Sequence, residues 1–146
     1  MALLLLAALV LQASLYWRDI LAARYPYLRS HLTNLCELST HCKIELVRRI
    51  DSISIDSSGL TAGESDFNYR LSVALRNRSD LPLALPWVEL NMTDSSGALV
   101  ARKALSPADF NLKQKGIAAG AELAMNLVLD TGQRHVTGYT VEVFYP

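Results

Sequence analysis

The stretch FNYRLSVALR, residues 67–76, decides the fold class. Phe67, Tyr69, Leu71, Val73 and Leu75 occupy every second position, and Asn68, Arg70, Ser72, Ala74 and Arg76 fill the places between. Successive side chains of an extended strand point to opposite faces, so this pattern predicts a strand with one face buried and one in water. The same period recurs on both sides. Upstream, Ile44, Leu46, Ile53 and Ile55 alternate with polar neighbours, and Ser57-Ser58-Gly59 reads as the end of that run. Downstream, residues 77–82 form a polar turn. Val88, Leu90 and Met92 then lead to Asp94-Ser95-Ser96-Gly97, after which residues 99–105 return as the second arm of a hairpin. Ser106-Pro107-Ala108-Asp109 offers a capping Ser and a Pro at the first helical position, which predicts a helix start. Leu123, Met125, Leu127 and Leu129 make a further strand closed by Asp130-Thr131-Gly132, and Tyr139, Val141, Val143 and Tyr145 make the last. About seven short antiparallel strands, with turns roughly every eight to twelve residues, predict a mainly β fold and an immunoglobulin-like sandwich over residues 43–146.

The rest of the chain differs in kind. The 146 residues carry 14 Lys+Arg against 14 Asp+Glu, and 51% are hydrophobic. That balance excludes intrinsic disorder, nucleic-acid binding driven by net charge, and a multi-span membrane protein. Yet MALLLLAALVLQASLYW, residues 1–17, holds 15 hydrophobic residues and no charge. At about 1.5 Å per residue, 2–17 reaches roughly 24 Å, and extension to residue 23 gives about 33 Å, enough for a bilayer core of about 30 Å. Tyr16 and Trp17, followed by Arg18, match the aromatic and basic belt at a membrane interface. A retained transmembrane anchor over residues 1–23 fits better than a cleaved signal peptide, since nothing basic precedes the apolar core and Leu11-Gln12-Ala13 is a poor cleavage site. A buried soluble helix fits least, for want of a polar face. Residues 24–42 then read as a stalk: Pro26 interrupts one helix, and a short second helix with a Cys loop follows.

Cys36 and Cys42 are the two cysteines, in LCELSTHCKI. The spacing suits one disulfide in an oxidising compartment; two free thiols, or a metal site using His31, Cys36, His41 and Cys42, are the alternatives. The metal reading is weak, because adjacent His41 and Cys42 would point apart in a strand. Arg18, Arg24 and Arg29 follow the apolar segment, and by the positive-inside rule alone they would hold the domain in the cytoplasm, whereas a disulfide argues for the far side.

Catalytic signatures are missing from the sequence: no G-x-S-x-G, H-E-x-x-H, G-x-G-x-x-G or P-loop pattern occurs, and His31, His41 and His135 are far apart. Arg48 and Arg49 read as solvated strand charges before an anion site, and Trp87 as core packing before a ligand platform. Asn77-Arg78-Ser79 and Asn91-Met92-Thr93 fit glycosylation sequons but read equally as turn and strand.

In order and spacing, five stretches resemble a known family. They are WRDILAARYPYLR (17–29, after a span containing Gln12), LCELSTHC (35–42), LRNRSD (75–80), LPWVELNMTDSSGALVARKALSPADF (85–110) and GYTVEVFYP (138–146). The chain resembles the C-terminal part of proteobacterial proteins that carry an N-terminal zinc ribbon, one membrane helix and domain of unknown function 3426. The resemblance implies a membrane-anchored immunoglobulin-like, or late-embryogenesis-abundant-like, β-sandwich in the cell envelope, with no assigned catalytic residues. This sequence lacks the zinc ribbon and the basic stretch before the helix, has His41 where the family tends to Gly, and has Val47 where Pro is common. On this comparison Met1 is expected to be a late start or a fragment edge. The combined expectation is a single-pass protein of the bacterial inner membrane with its soluble domain in the periplasm. Its bilayer contact runs through residues 1–23, with envelope proteins as partners and no cofactor, nucleic acid or small-molecule substrate. It is expected to be a non-catalytic interaction or scaffold module; the alternatives are an apolar-ligand or lipid-binding sandwich and, less favoured, an unrecognised enzyme.

Overall fold

The computed structural model describes residues 1–37, 44–63, 67–132 and 135–146. The chain divides into two compact units, Met1–Val47 and Arg48–Pro146.

In the first unit, α1 (Ala2–Tyr16) is built from Ala and Leu with no helix breaker, and none of its residues is buried. It does not run on as one rod. At Trp17 the axis turns by 74° into α2 (Arg18–Arg24), and no single helix among the described residues is long and apolar enough to cross a membrane. The continuous helix expected over residues 1–23 is therefore corrected to a bent pair. Just after the bend, Asp19 in the first turn of α2 accepts a hydrogen bond from the Glu45 N–H at 3.0 Å. Pro26 opens a 3-10 turn (Pro26–Leu28) that leads into α3 (Arg29–Glu37), as its fixed φ and missing N–H favour. These short elements bury Ala22, Leu32 and Cys36.

The second unit is mainly β. Eight strands run in chain order: β1 (Ile53–Ala62), β2 (Asn68–Asn77), β3 (Leu83–Ala84), β4 (Trp87–Thr93), β5 (Leu99–Leu105), β6 (Gly116–Ile117), β7 (Glu122–Asp130) and β8 (Gly138–Phe144). They form antiparallel sheets in the orders β1-β2-β7, β3-β6 and β5-β4-β8. The alternation that opened the sequence reading is realised in β2, where Tyr69, Leu71, Val73 and Leu75 are buried and Arg70 is exposed. Strand β4 does the same with Val88, Leu90 and Met92, and the hairpin turn before β5 is closed by Asp94. Its carboxylate accepts bonds from the Ser96 N–H at 2.8 Å, the Ser96 hydroxyl at 2.6 Å and the Ala98 N–H at 3.0 Å, and Gly97 takes φ +81°. The first and third sheets meet at one edge, where the Tyr139 hydroxyl of β8 donates to the Ser58 carbonyl of β1 at 2.9 Å.

Four readings of the sequence need correction. Eight strands replace about seven, because β3 and β6 are two-residue pairings too short to carry a period. Ser57-Ser58-Gly59 does not end β1. The strand continues to Ala62, paired to β2, after an irregularity between Ile55 and Ser57; its backbone ladder tolerates the small side chains at a sheet edge. Ile44 and Leu46 lie in irregular chain before the 3-10 turn Ile50–Ser52, so the period-two strand begins only at Ile53. The helix expected at Ser106 stops after a turn. Asp109 caps it by accepting from the Ser106 N–H at 2.6 Å and hydroxyl at 2.7 Å, but Asn111 adopts φ +52° and Phe110 is buried, which ends the winding.

Candidate functional site

Beside the short β3-β6 pair lies an open groove of about 290 Å³. Its walls come from four places: Arg48 where the chain enters the second unit, Leu85 and Trp87 around the start of β4, Leu112 and Lys115 from the segment before β6, and Tyr145 after β8. Leu85 is buried, whereas Trp87 sits on the opposite face of β4 from Val88 and Leu90, half-buried, with its ring 6.2 Å from Phe144 at a tilt of 48°. The expectation that Trp87 packs in the core is thus corrected: position 87 belongs to the outward register of β4, and its indole forms a groove wall. Tyr145 is the post that fixes the site. Its hydroxyl donates to the Ala84 carbonyl at 2.7 Å, tying the end of β8 to β3. Burial pushes this phenol above its ordinary value, while the Arg48 charge and a hydrogen bond from the Arg49 backbone act in the opposite direction. The groove therefore joins aromatic and aliphatic walls to two basic side chains, Arg48 and Lys115, both exposed.

A second constellation gathers around Asn77, which the sequence offers only as a sequon or an ordinary turn or strand residue. Asn77, at the end of β2, has no exposed surface. Its amide nitrogen donates to the carbonyls of Leu81 at 2.7 Å, Ala118 at 3.0 Å and Ile117 at 3.1 Å. Its amide oxygen accepts from the Ser79 N–H at 2.9 Å and hydroxyl at 2.7 Å. One side chain thus holds the 77–81 turn to the segment after β6. The signal was present: position 77 continues the odd-numbered buried series 69, 71, 73, 75, and a polar residue there must find partners.

The outward faces carry ion pairs. Arg76 bonds Asp56, and reaches Glu122 at 2.8 Å across the β1-β2-β7 sheet. Arg102 meets Glu89 at 2.7 Å between β5 and β4. The Arg76 hydrogen bond, seconded by Ser54, lowers the Asp56 pKa, and the Arg102 hydrogen bond lowers that of Glu89. These pairs are accounted for by sheet registration and bring no unusual nucleophile or base together.

Among the other residues singled out in the sequence, Tyr16 and Trp17 stand at the α1–α2 bend with rings 5.9 Å apart and edge to face, both exposed, and Arg18 opens α2. Cys36 is 4% exposed; Cys42 and His41 lie outside the described residues. His31 is exposed on α3 in the first unit, and His135 is exposed in the second, its ring 5.2 Å from that of Phe67. Among the described residues, no three His, Cys, Asp or Glu side chains converge as metal ligands would.

Comparison with known proteins adds one match. The family model described as protein of unknown function (DUF3426) matches residues 50–143, a span that takes in every strand from β1 to nearly the end of β8. No curated protein and no solved structure matches the chain.

Proposed function

The chain belongs to the DUF3426 family of proteins of unknown function, and on that premise we propose a membrane-anchored, non-catalytic interaction module whose β unit works in the periplasm. One observation carries the proposal. Helix α1 is apolar on all sides and buries none of its residues; Leu3 to Leu6 are between 62% and 82% exposed. Burying a Leu side chain yields about 2 kcal/mol, so seven leucines left in water represent a deficit on the order of 10 kcal/mol that a bilayer removes. The bend at Trp17 sets an interfacial place for the tail of the anchor, with Tyr16, Trp17 and Arg18 at the headgroups.

The β unit is proposed as an immunoglobulin-like sandwich. Two three-stranded antiparallel sheets with one buried face each, joined at the Tyr139–Ser58 edge, support that reading. The periplasmic side is supported by the cysteines: Cys36 is buried and is not a free thiol, as a disulfide to Cys42 would require. An exposed strand edge at β7 and the groove beside Tyr145 are surfaces on which a partner can bind without chemistry.

Alkaline carbonate extraction of membranes from cells producing the full chain tests the anchor. The chain should stay in the pellet, and Leu6→Arg, which raises the insertion cost by about 3 kcal/mol, should move it to the supernatant. Complete extraction of the unaltered chain would refute anchoring. N-terminal sequencing of the mature protein separates a retained anchor from a cleaved leader.

A further inference from the structure

We infer that α1 pairs with the α1 of a second copy of this chain inside the bilayer, the two helices lying parallel and joined by hydrogen bonds between their Gln12 side chains. The inference rests on the anchored reading above, which the leucines carry, but its own ground is the one amide side chain in that helix. Gln12 is exposed on α1 and has no hydrogen-bond partner among the described residues. Ser14, two residues on, needs none from outside: its hydroxyl donates to the Leu11 carbonyl at 2.8 Å. On the anchored reading Gln12 lies four residues before Tyr16, about 6 Å deeper along the axis than the aromatic belt. A helical side chain leans toward the helix N-terminus, here away from that belt. The amide therefore meets hydrocarbon, where a polar group without a partner is costly. Two features select a second copy as that partner. All copies enter the membrane in one orientation, so paired helices are parallel and each residue meets its own counterpart. A Gln amide is self-complementary, since its NH2 donates and its oxygen accepts, and two of them exchange hydrogen bonds reciprocally. The second feature is spacing. Leu5, Ala8, Gln12 and Leu15 follow at intervals of three, four and three residues, the 3.5-residue period that keeps one seam facing a partner helix. All four are exposed, so α2 and α3 leave the seam uncovered. Ala8, one turn before Gln12, lets the two backbones approach, and a single polar residue in such a seam fixes register.

Two measurements on the full chain separate the pairing from the anchor. Flotation with phosphatidylcholine vesicles reports the anchor, and sedimentation equilibrium in neutral detergent micelles reports the pairing. Interhelical hydrogen bonds of this kind change association by roughly five- to thirty-fold. The parent should sediment as a monomer–dimer equilibrium. Gln12→Leu, which keeps the helix apolar and still floats, should weaken the dimer about five-fold or more, and Gln12→Asn, which keeps the amide, should hold it closer to the parent. Val10→Leu, on the far side of the helix from Gln12, should change nothing. The face is read independently by oxidative cross-linking in vesicles and in cell membranes, in a chain whose Cys36 and Cys42 are both changed to Ser. Leu5→Cys should join two copies, and Leu3→Cys, on the opposite side from Gln12, should not. A parent that floats yet sediments as a monomer, a Gln12→Leu dimer as tight as the parent's, or equal cross-linking at the two positions overturns the inference and leaves the anchor intact. Cross-linking of Leu5→Cys to a different membrane protein, with none between copies, assigns the seam to that protein and likewise overturns the pairing. A parent that does not float removes both readings.

Discussion

Replacing Asn77 tests whether a single buried amide holds the β unit at the junction of β2, the 77–81 turn and the segment following β6. The amide has two hydrogens and two acceptor lone pairs, and the structure uses all four: three carbonyls share the hydrogens, and Ser79 supplies the two donors. Asn77→Ala removes these bonds and takes a donor from the carbonyls of Ile117 and Leu81, both buried residues, of which the Leu81 carbonyl keeps the Ser79 hydroxyl at 2.8 Å. At about 1 kcal/mol for each lost hydrogen bond, with a further penalty where a buried partner goes unsatisfied, the loss is about 4 kcal/mol. Against a total stability of roughly 5–15 kcal/mol that is a large fraction, and for a unit of this size it lowers Tm by about 16 °C or more. Asn77→Asp keeps the shape but faces three carbonyl oxygens with a carboxylate. Its folded pKa must rise above the unfolded value near 3.9, so the variant is most stable in acid and loses stability as pH climbs through the raised pKa. Thermal and denaturant unfolding followed by near-ultraviolet circular dichroism reads both. An Asn77→Ala chain within about 1 kcal/mol of the parent, or an Asn77→Asp chain whose stability does not fall with rising pH, would refute the reasoning.

Other consequences follow from contacts already described. Asp56, Glu89, Asp94 and Asp109 all have lowered pKa values in the fold, so their contribution is complete above the ordinary carboxyl values of 3.8 and 4.5 and is lost as pH falls below them. Stability should therefore decline in acid, with Asp56→Asn flattening the decline; a profile unchanged between about pH 5 and pH 2 would contradict this. A Cβ on Gly138 would lie 2.6 Å from the Thr93 hydroxyl, so Gly138→Ala should destabilise by about 1–2 kcal/mol, and Thr93→Ala in the same chain should recover most of it. If the two changes prove additive in unfolding experiments, the clash is not the cause. The proposed Cys36–Cys42 disulfide should appear as an intact mass two hydrogens short of the reduced chain, and Cys42→Ser should cost about 2 kcal/mol. Free alkylation of both thiols in the native protein would exclude it.

Residues 67–76 were legible because an amphipathic strand writes its burial directly into a period of two, and the hairpin at Asp94 because turn chemistry is local. The corrected positions share a different origin. Aromatic size alone does not tell which face of β4 Trp87 occupies; its neighbours Val88, Leu90 and Met92 carry the inward register, which leaves position 87 outside. Ser57-Ser58-Gly59 has turn composition, yet pairing to Ala74, Val73 and Ser72 keeps it extended. The Asp19–Glu45 hydrogen bond beside the bend at Trp17 joins residues 26 positions apart, which no local pattern encodes. The groove is not legible for the same reason: Arg48, Trp87, Lys115 and Tyr145 come from four separate segments, joined through contacts such as the β3-β6 and β4-β8 pairings and the Tyr145–Ala84 bond.

The central proposal is that α1 inserts in a membrane and the β unit lies on its periplasmic side. Spheroplasts of cells producing the full chain, treated with an added protease before any permeabilisation, answer that. The account predicts that the β unit is digested from outside while a short fragment containing α1 remains protected in the membrane. Protection of the β unit until the inner membrane is broken would contradict it.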